Sequence, residues 1–159
     1  MNNYRFSEWN HPVIGLSPLA DAFAGTVYTD VVNMENFERV AFHVYSGGGA
    51  TGTSLFTVEA CDDTVPTTVS AIAFMYREMS SNDVGGTLTA ATSAGFTCTA
   101  GSNRNILIEV NAQALANLGY SYVRLKAVEQ TDSPVTGGVN IYLTEPKSTG
   151  SAFTGTTLT

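Results

Sequence analysis

The side chains best suited to acid–base, nucleophilic or metal chemistry in this chain are His11 and His43, Cys61 and Cys98, and the carboxylates of Glu59, Asp62, Asp63, Asp83, Glu109 and Asp132. A general base needs a proton to take and a partner to orient it. His43 alternates with Phe42 and Val44 in VAFHVY, which puts it on the strand face opposite the apolar row, as a satisfied or solvated histidine. Glu59 and Glu109 sit in separate strand-like runs, and no spacing pairs them as acid and base. Asp62 and Asp63, with Asp83 or Asp132, have the oxygen chemistry of a calcium site. Adjacent aspartates ahead of Pro66 are also ordinary turn formers, and that reading is preferred. Gly47–Gly49 resembles a phosphate loop in composition only, because it lies between two strand-like runs with no helix N-terminus to receive a phosphate. GxSxG, HExxH, CxxC and GK[ST] motifs are all missing from the sequence. The residues therefore imply no enzyme, no cofactor and no metal centre.

The elements that would position these groups read as strands. Val40, Phe42 and Val44 alternate with polar or small neighbours, and Phe56, Val58 and Ala60 resume the same period beyond the glycine-rich SGGGATGT. Two alternating runs joined in this way predict a β-hairpin with a long loop. Thr26–Val32, Ala71–Met79, Thr87–Ala90, Gly95–Thr99, Ile106–Val110, Ser121–Glu129 and Val139–Leu143 supply further strands, with Ile72, Phe74 and Tyr76 sharing one face of theirs. Asn111 is placed to cap a short helix over Ala112–Asn117, which Gly119 would end. About eight strands and one short helix predict an all-β antiparallel sandwich, jelly-roll-like, or an open barrel.

Three regions follow from the punctuation. Residues 1–25 read as an extended N-terminal arm, broken by Pro12 and Pro18 and carrying Trp9, Val13, Ile14, Leu16, Leu19 and Phe23 without a sustained period. Residues 26–146 form the β domain. Residues 147–159, KSTGSAFTGTTLT, read as a flexible C-terminal tail with Phe153 and Leu158 as its only apolar anchors. The arm either lies over its own domain or docks on a neighbour. Trp9, Ile14, Leu16, Phe153 and Leu158 are accordingly the candidate partner contacts.

Composition narrows the partners. Charged residues make up 13% of the chain, against a usual quarter, and the formal net charge is −7. Arg104, Arg124 and Lys126 are dispersed and read as solvated strand faces, so no cationic patch offers itself to nucleic acid or to an anionic membrane. Neither a basic n-region with an apolar run nor a stretch of ~20 apolar residues occurs, so the expectation is a chain made and kept in the cytoplasm unless it leaves in an assembly. Two cysteines are too few for a disulfide scaffold. A Cys61–Cys98 bridge stays open if their strands are neighbours.

Between Asn33 and Pro146 the pattern resembles a group of small tailed-bacteriophage virion proteins, often encoded near the major capsid protein. The residues that carry it are VVNMENFERVAFHVYSGGGATGTSLFTVEACDD, SAIAFMYRE, RNILIEVNAQALANLGYSYVRLKAVEQ and VNIYLTEPK. The resemblance implies a head auxiliary protein that decorates or cements the outer capsid surface by bridging capsid subunits. Its partners would be the major capsid protein and copies of itself, with a trimer favoured. It would be made in the host bacterial cytoplasm and located on the virion. No active-site residue comes with it. Two other roles remain open. One is a tail or neck virion protein. The other is a carbohydrate- or receptor-binding module using Tyr45, Tyr76, Tyr120, Tyr122 and Tyr142 as stacking surfaces.

Overall fold

The computed structural model describes residues 5–48, 51–80 and 84–148. In chain order these form α1 (Phe6–Trp9), β1 (Asn10–Leu19), β2 (Thr26–Tyr28), β3 (Val32–Asn33), β4 (Phe37–Ser46), β5 (Thr53–Cys61), β6 (Val69–Ile72), β7 (Phe74–Ser80), β8 (Val84–Gly85), β9 (Thr89–Ala91), β10 (Phe96–Thr97), β11 (Arg104–Asn111), α2 (Ala112–Ala116), β12 (Tyr122–Thr131) and β13 (Gly137–Pro146). The first sheet has seven strands in the order β1-β13-β4-β11-β7-β8, with β9 also on β7. The second has six, β10-β5-β12-β2, with β3 on β12 and β6 on β5. Every pair is antiparallel. The protein is all-β, with two open sheets and no closed barrel.

Alternation decides which side chains go inside. Phe42, Ile108 and Ile141 lie side by side across β4, β11 and β13. They face Phe56, Val58, Val123 and Leu125 of the other sheet, and all seven are essentially inaccessible to water. Burying each is worth roughly 1.5–3 kcal/mol. Phe56 is the aromatic centre of this layer, with Phe23 edge-on at 5.8 Å and Phe96 tilted at 5.8 Å.

Three expectations are corrected. The glycine-rich stretch does not close a hairpin: β4 pairs with β13 and β11, whereas β5 pairs with β12, β10 and β6 in the opposite sheet. A period of two records which side chains turn inward. It does not distinguish strands paired in the plane from strands facing each other across the core. The Gly47 end of this crossing is anchored instead by Gly47 N–H to the Thr136 carbonyl (2.7 Å) and by the Gly47 carbonyl, which accepts from Asn103 N–H (2.8 Å). The run Ala71–Met79 divides at Ala73 into β6 and β7, one in each sheet, so Ile72 and Phe74 both stay in the core while the chain changes layers.

Of the two readings left open for the arm, the pairing of Asn10–Leu19 fits the one in which it lies over its own domain. Asn10–Leu19 is a strand on the edge of the first sheet, paired with β13. Prolines that break a helix are tolerated there, because an edge strand needs hydrogen bonds on one side only. Finally, among the described residues there are two short helices and thirteen strands, several of them two or three residues long. Helix α2 forms close to the expected bounds and is left through Gly119 at φ +80°, but the Asn111 side chain makes no cap.

Neighbouring positions of β5 should therefore respond very differently to truncation. Phe56→Ala should cost about 3–5 kcal/mol in urea denaturation, and Thr57→Ala, on the outer face, about 0.5 kcal/mol or less.

Candidate functional site

Of the apolar residues singled out near the N-terminus, Val13, Ile14, Leu16 and Leu19 meet at one place, the open side of the sandwich between β1 and β2. Gly15 makes this geometry. It lies so flat against β13 that a Cβ there would sit 2.6 Å from Ile141 Cγ1 and 3.2 Å from the Val139 carbonyl oxygen. The β1–β13 register shifts across it, between Ile14 and Leu16, as in a β-bulge that re-aims side chains. Ile14 consequently points outward with 63% of its surface exposed, while Leu16 packs against the core. A second shift follows between Leu16 and Leu19, and Leu19 is 53% exposed. The Gly15 carbonyl accepts from Asp30 N–H at 2.9 Å, tying the edge of one sheet to the chain leaving β2 in the other.

The result is a groove of about 630 Å3, whose walls include His11, Ile14, Leu16, Leu19, Tyr28 and Asp30. Burial pushes the Asp30 carboxyl above its ordinary range. Tyr28, 43% exposed, forms the far wall. Its ring is held from behind by the Arg124 guanidinium at 4.1 Å, with Lys126 Nζ at 5.8 Å. Arg124 in turn binds Glu59 through Nη2 at 2.7 Å and Nε at 2.8 Å, and Lys126 Nζ lies 3.6 Å from the other Glu59 oxygen. Glu59 is only 7% exposed. Arg124 is thus no solvated cation, as expected from sequence, but one side of a largely buried ion pair. Register explains the assembly: Arg124 lies opposite Glu59, and Lys126 lies opposite both Thr57 and Tyr28.

The other candidates are dispersed. Trp9 is half-buried at the end of α1 and already engaged within the chain. Phe153 and Leu158 lie outside the described residues, as does Asp83. His11 stacks on Phe37 at 6.4 Å. His43 is on the outer face of the first sheet, with Nε2 3.0 Å from Asn105 Oδ1 and ring contacts to Tyr45 and Tyr142. Those two tyrosines share a face, but Tyr76 is stacked on Phe96 at 3.7 Å and Tyr122 belongs to the other sheet, so the five do not make one stacking platform. Glu109 and Glu59 likewise lie in different sheets.

Asp62 is a turn former. Its carboxylate accepts from Thr67 N–H (3.1 Å), Thr67 Oγ1–H (2.8 Å) and Thr68 N–H (3.1 Å). Desolvation works the other way, but these bonds from Thr67 and Thr68 hold its carboxyl below the usual range. Asp132 follows the far end of the β5–β12 ladder. Among the described residues no group of three or more His, Cys, Asp or Glu side chains is placed to hold a metal ion.

Cys61 and Cys98 are both free thiols. Cys61 ends β5, whereas Cys98 N–H bonds the carbonyl of Ser54 near its start. Seven strand residues, about 23 Å, separate those positions, which rules out a bridge. Burial pushes the Cys61 thiol up to about 11, with the Arg124 charge opposing, and pushes Cys98 up as well.

Tyr28 and Asp30 complete a groove that sequence reasoning reached only through apolar residues of the arm, Ile14, Leu16 and Leu19 among them. The alternation of TVYTDVV already put Tyr28 on the face opposite Val27, but the pairing of β2 with β12 was needed to bring it to Arg124.

Two outcomes follow. Glu59→Ala should cost about 2–3 kcal/mol in denaturant titration, since it strands Arg124, and combining it with Arg124→Ala should cost less than the sum of the single changes. At pH 8 the native chain should react with an aromatic disulfide reagent at least about tenfold more slowly than free cysteine, and the denatured chain should titrate as two thiols.

No family model matches this chain, and no curated protein matches it. Among solved structures, the SPBc2 prophage-derived protein YomS is similar, with a TM-score of 0.46 and 14% sequence identity over 84% of this chain and 88% of that one.

Proposed function

We propose that this chain is a structural component of a bacteriophage head, a decoration or cement protein that holds to assembled capsid protein through the groove between β1 and Tyr28. The observation that carries the contact surface is the gathering of Ile14, Leu19 and Tyr28, all large and exposed, on one open side of the sandwich. The virion assignment comes from the sequence resemblance over Asn33–Pro146, and the major capsid protein is its proposed partner. A closed homo-oligomer, with a trimer favoured, is the proposed form on the capsid surface.

The edge itself narrows the kind of contact. Pro12 and Pro18 lack the N–H that a pairing strand would use, and the two register shifts break the straight run it would need. The surface is therefore read by side chains. It favours a partner segment with apolar residues for Ile14, Leu19 and Tyr28 and a Lys or Arg opposite Asp30. Weak contacts of this kind, repeated over a shell, add through avidity. By binding only the assembled state they would shift the balance away from dissociation.

The sign at Asp30 is definite. Its folded-state carboxyl is raised, so its burial opposes folding at neutral pH and that penalty is relieved as pH falls toward the ordinary carboxylate range. A cation supplied by a partner would offset that burial penalty.

The Ile14→Asp, Leu19→Asp double variant should keep the melting temperature within about 3 °C, because both sites are exposed, yet bind particles at least about tenfold more weakly. Asp30→Asn should leave the free chain at least as stable at pH 7 and weaken particle binding. Particles stripped of the protein should rupture at lower temperature than decorated ones. Equal rupture temperatures, or antibody label confined to the vertex or tail, would replace the head-cement reading.

A further inference from the structure

The second sheet has an open edge on the side away from the groove. Its strand order is β10-β5-β12-β2 with β6 also on β5, so β2 and β6 lie at opposite sides of it. Strand β6 pairs with β5 from Val69 opposite Cys61 to Ile72 opposite Val58, and among the described residues no strand pairs with its other side. Alternate residues of an edge strand turn both backbone groups outward, so the four residues of β6 offer about two N–H donors and two carbonyl acceptors. Val69 is 40% exposed, and Val65, just ahead of the strand, is 67% exposed.

This edge is held in place and left unguarded. The Asp62 carboxylate, which accepts from Thr67 and Thr68, fixes the turn into β6, and Asp62 N–H bonds the Thr68 carbonyl at 3.2 Å. A strand ordered before anything pairs with it lowers the entropic cost of docking. Edges that avoid pairing carry prolines, charges or bulges. Strand β1 has two prolines and two register shifts. From Val69 to Ala73 the residues are Val, Ser, Ala, Ile and Ala, with no proline and no charge, and the β5–β6 register runs without a shift.

The chemistry of the edge selects what covers it. A row of open N–H and carbonyl groups is matched by another extended backbone, and two exposed valines call for apolar side chains on that backbone. Asp63, exposed at the entrance to the strand, favours a Lys or Arg, whereas a net charge of −7 disfavours a second copy of this chain. We propose that β6 is a strand-addition site, which takes an extended segment of a different protein as the next strand of the second sheet. Apolar residues of that segment pack on Val65 and Val69, and a basic residue meets Asp63. The site does not rest on the virion reading, whose contact surface is at the opposite edge.

Backbone amide signals of the isotope-labelled full-length chain give the readout. The probe is a short soluble peptide of alternating Val and Thr with two Lys at one end, and its control is the same peptide N-methylated at every Val and Thr. A few hydrogen bonds give millimolar affinity, so at about 2 mM the probe should shift the Val69–Ala73 signals. It should also slow exchange of the outward β6 amides at least about tenfold, while β1 signals stay in place. The methylated peptide should do neither. Val69→Lys, at an exposed site, should keep the melting temperature within about 3 °C and weaken the response at least about tenfold. A β6 indifferent to the probe overturns the proposal. An equal response to the methylated peptide overturns it too, by assigning the contact to side chains. So does protection of the outward amides in the free chain that is lost on dilution from about 1 mM to about 20 μM, by assigning the edge to a second copy.

Discussion

The constraint on which everything else depends is that two sheets must bury one face each against the other. The facing rows, Phe42, Ile108 and Ile141 on one side and Phe56, Val58 and Leu125 on the other, leave no accessible surface. A layer this complete requires β4 and β5, the two richest strands, to be interior strands with neighbours on both sides. Each then has its backbone satisfied within its own sheet, and neither has an edge left to offer the other. The long glycine-rich link is a consequence. It has to carry the chain across the thickness of the core, which a tight two-residue turn would not do.

The same constraint sorts what sequence could and could not reveal. The inward positions of β4, β5, β11, β12 and β13 were legible, because alternation is a local property and burial follows it residue by residue. Pairing was not legible. Ile72 and Phe74 look like one face of one strand, yet they reach the core from different sheets. The arm was left between lying over its own domain and docking on a neighbour, because irregular spacing and two prolines do not reveal an edge strand, which, paired on one side, accepts both. Of the site, Ile14 and Leu16 were legible as apolar residues in search of cover. Tyr28 and Asp30 were not, because only the β2–β12 pairing and the Gly15–Asp30 hydrogen bond bring them alongside.

Electrostatics on the second sheet follow from pairing as well. Glu59 is distant in sequence from Arg124 and Lys126, and the scatter of the few cations suggested solvated strand faces. Register places them together, and the loop formed around Asp62 closes the neighbouring end of β5. A buried pair of this type is weak evidence for stability, since two desolvated charges offset much of their attraction. Its consequence here is positional. Arg124 has one side bound to Glu59 and its face over Tyr28, which holds a large exposed ring at the wall of the groove.

An exposed edge strand ordinarily threatens aggregation, because its unpaired backbone invites any other strand. Here Pro12, Pro18 and the Gly15 bulge remove that invitation, while Ile14 and Leu19 are left outside on the same ten residues. The two features work in opposite directions unless the edge serves a selective contact. Backbone pairing is indifferent to sequence, whereas side chains in a groove with one desolvated carboxylate discriminate by shape and charge. Suppressing the first and keeping the second is what a subunit needs if it must remain separate in solution and yet recognise one surface when that surface is assembled. Suppressed backbone pairing beside exposed apolar side chains is the feature of this edge on which the proposed contact surface rests.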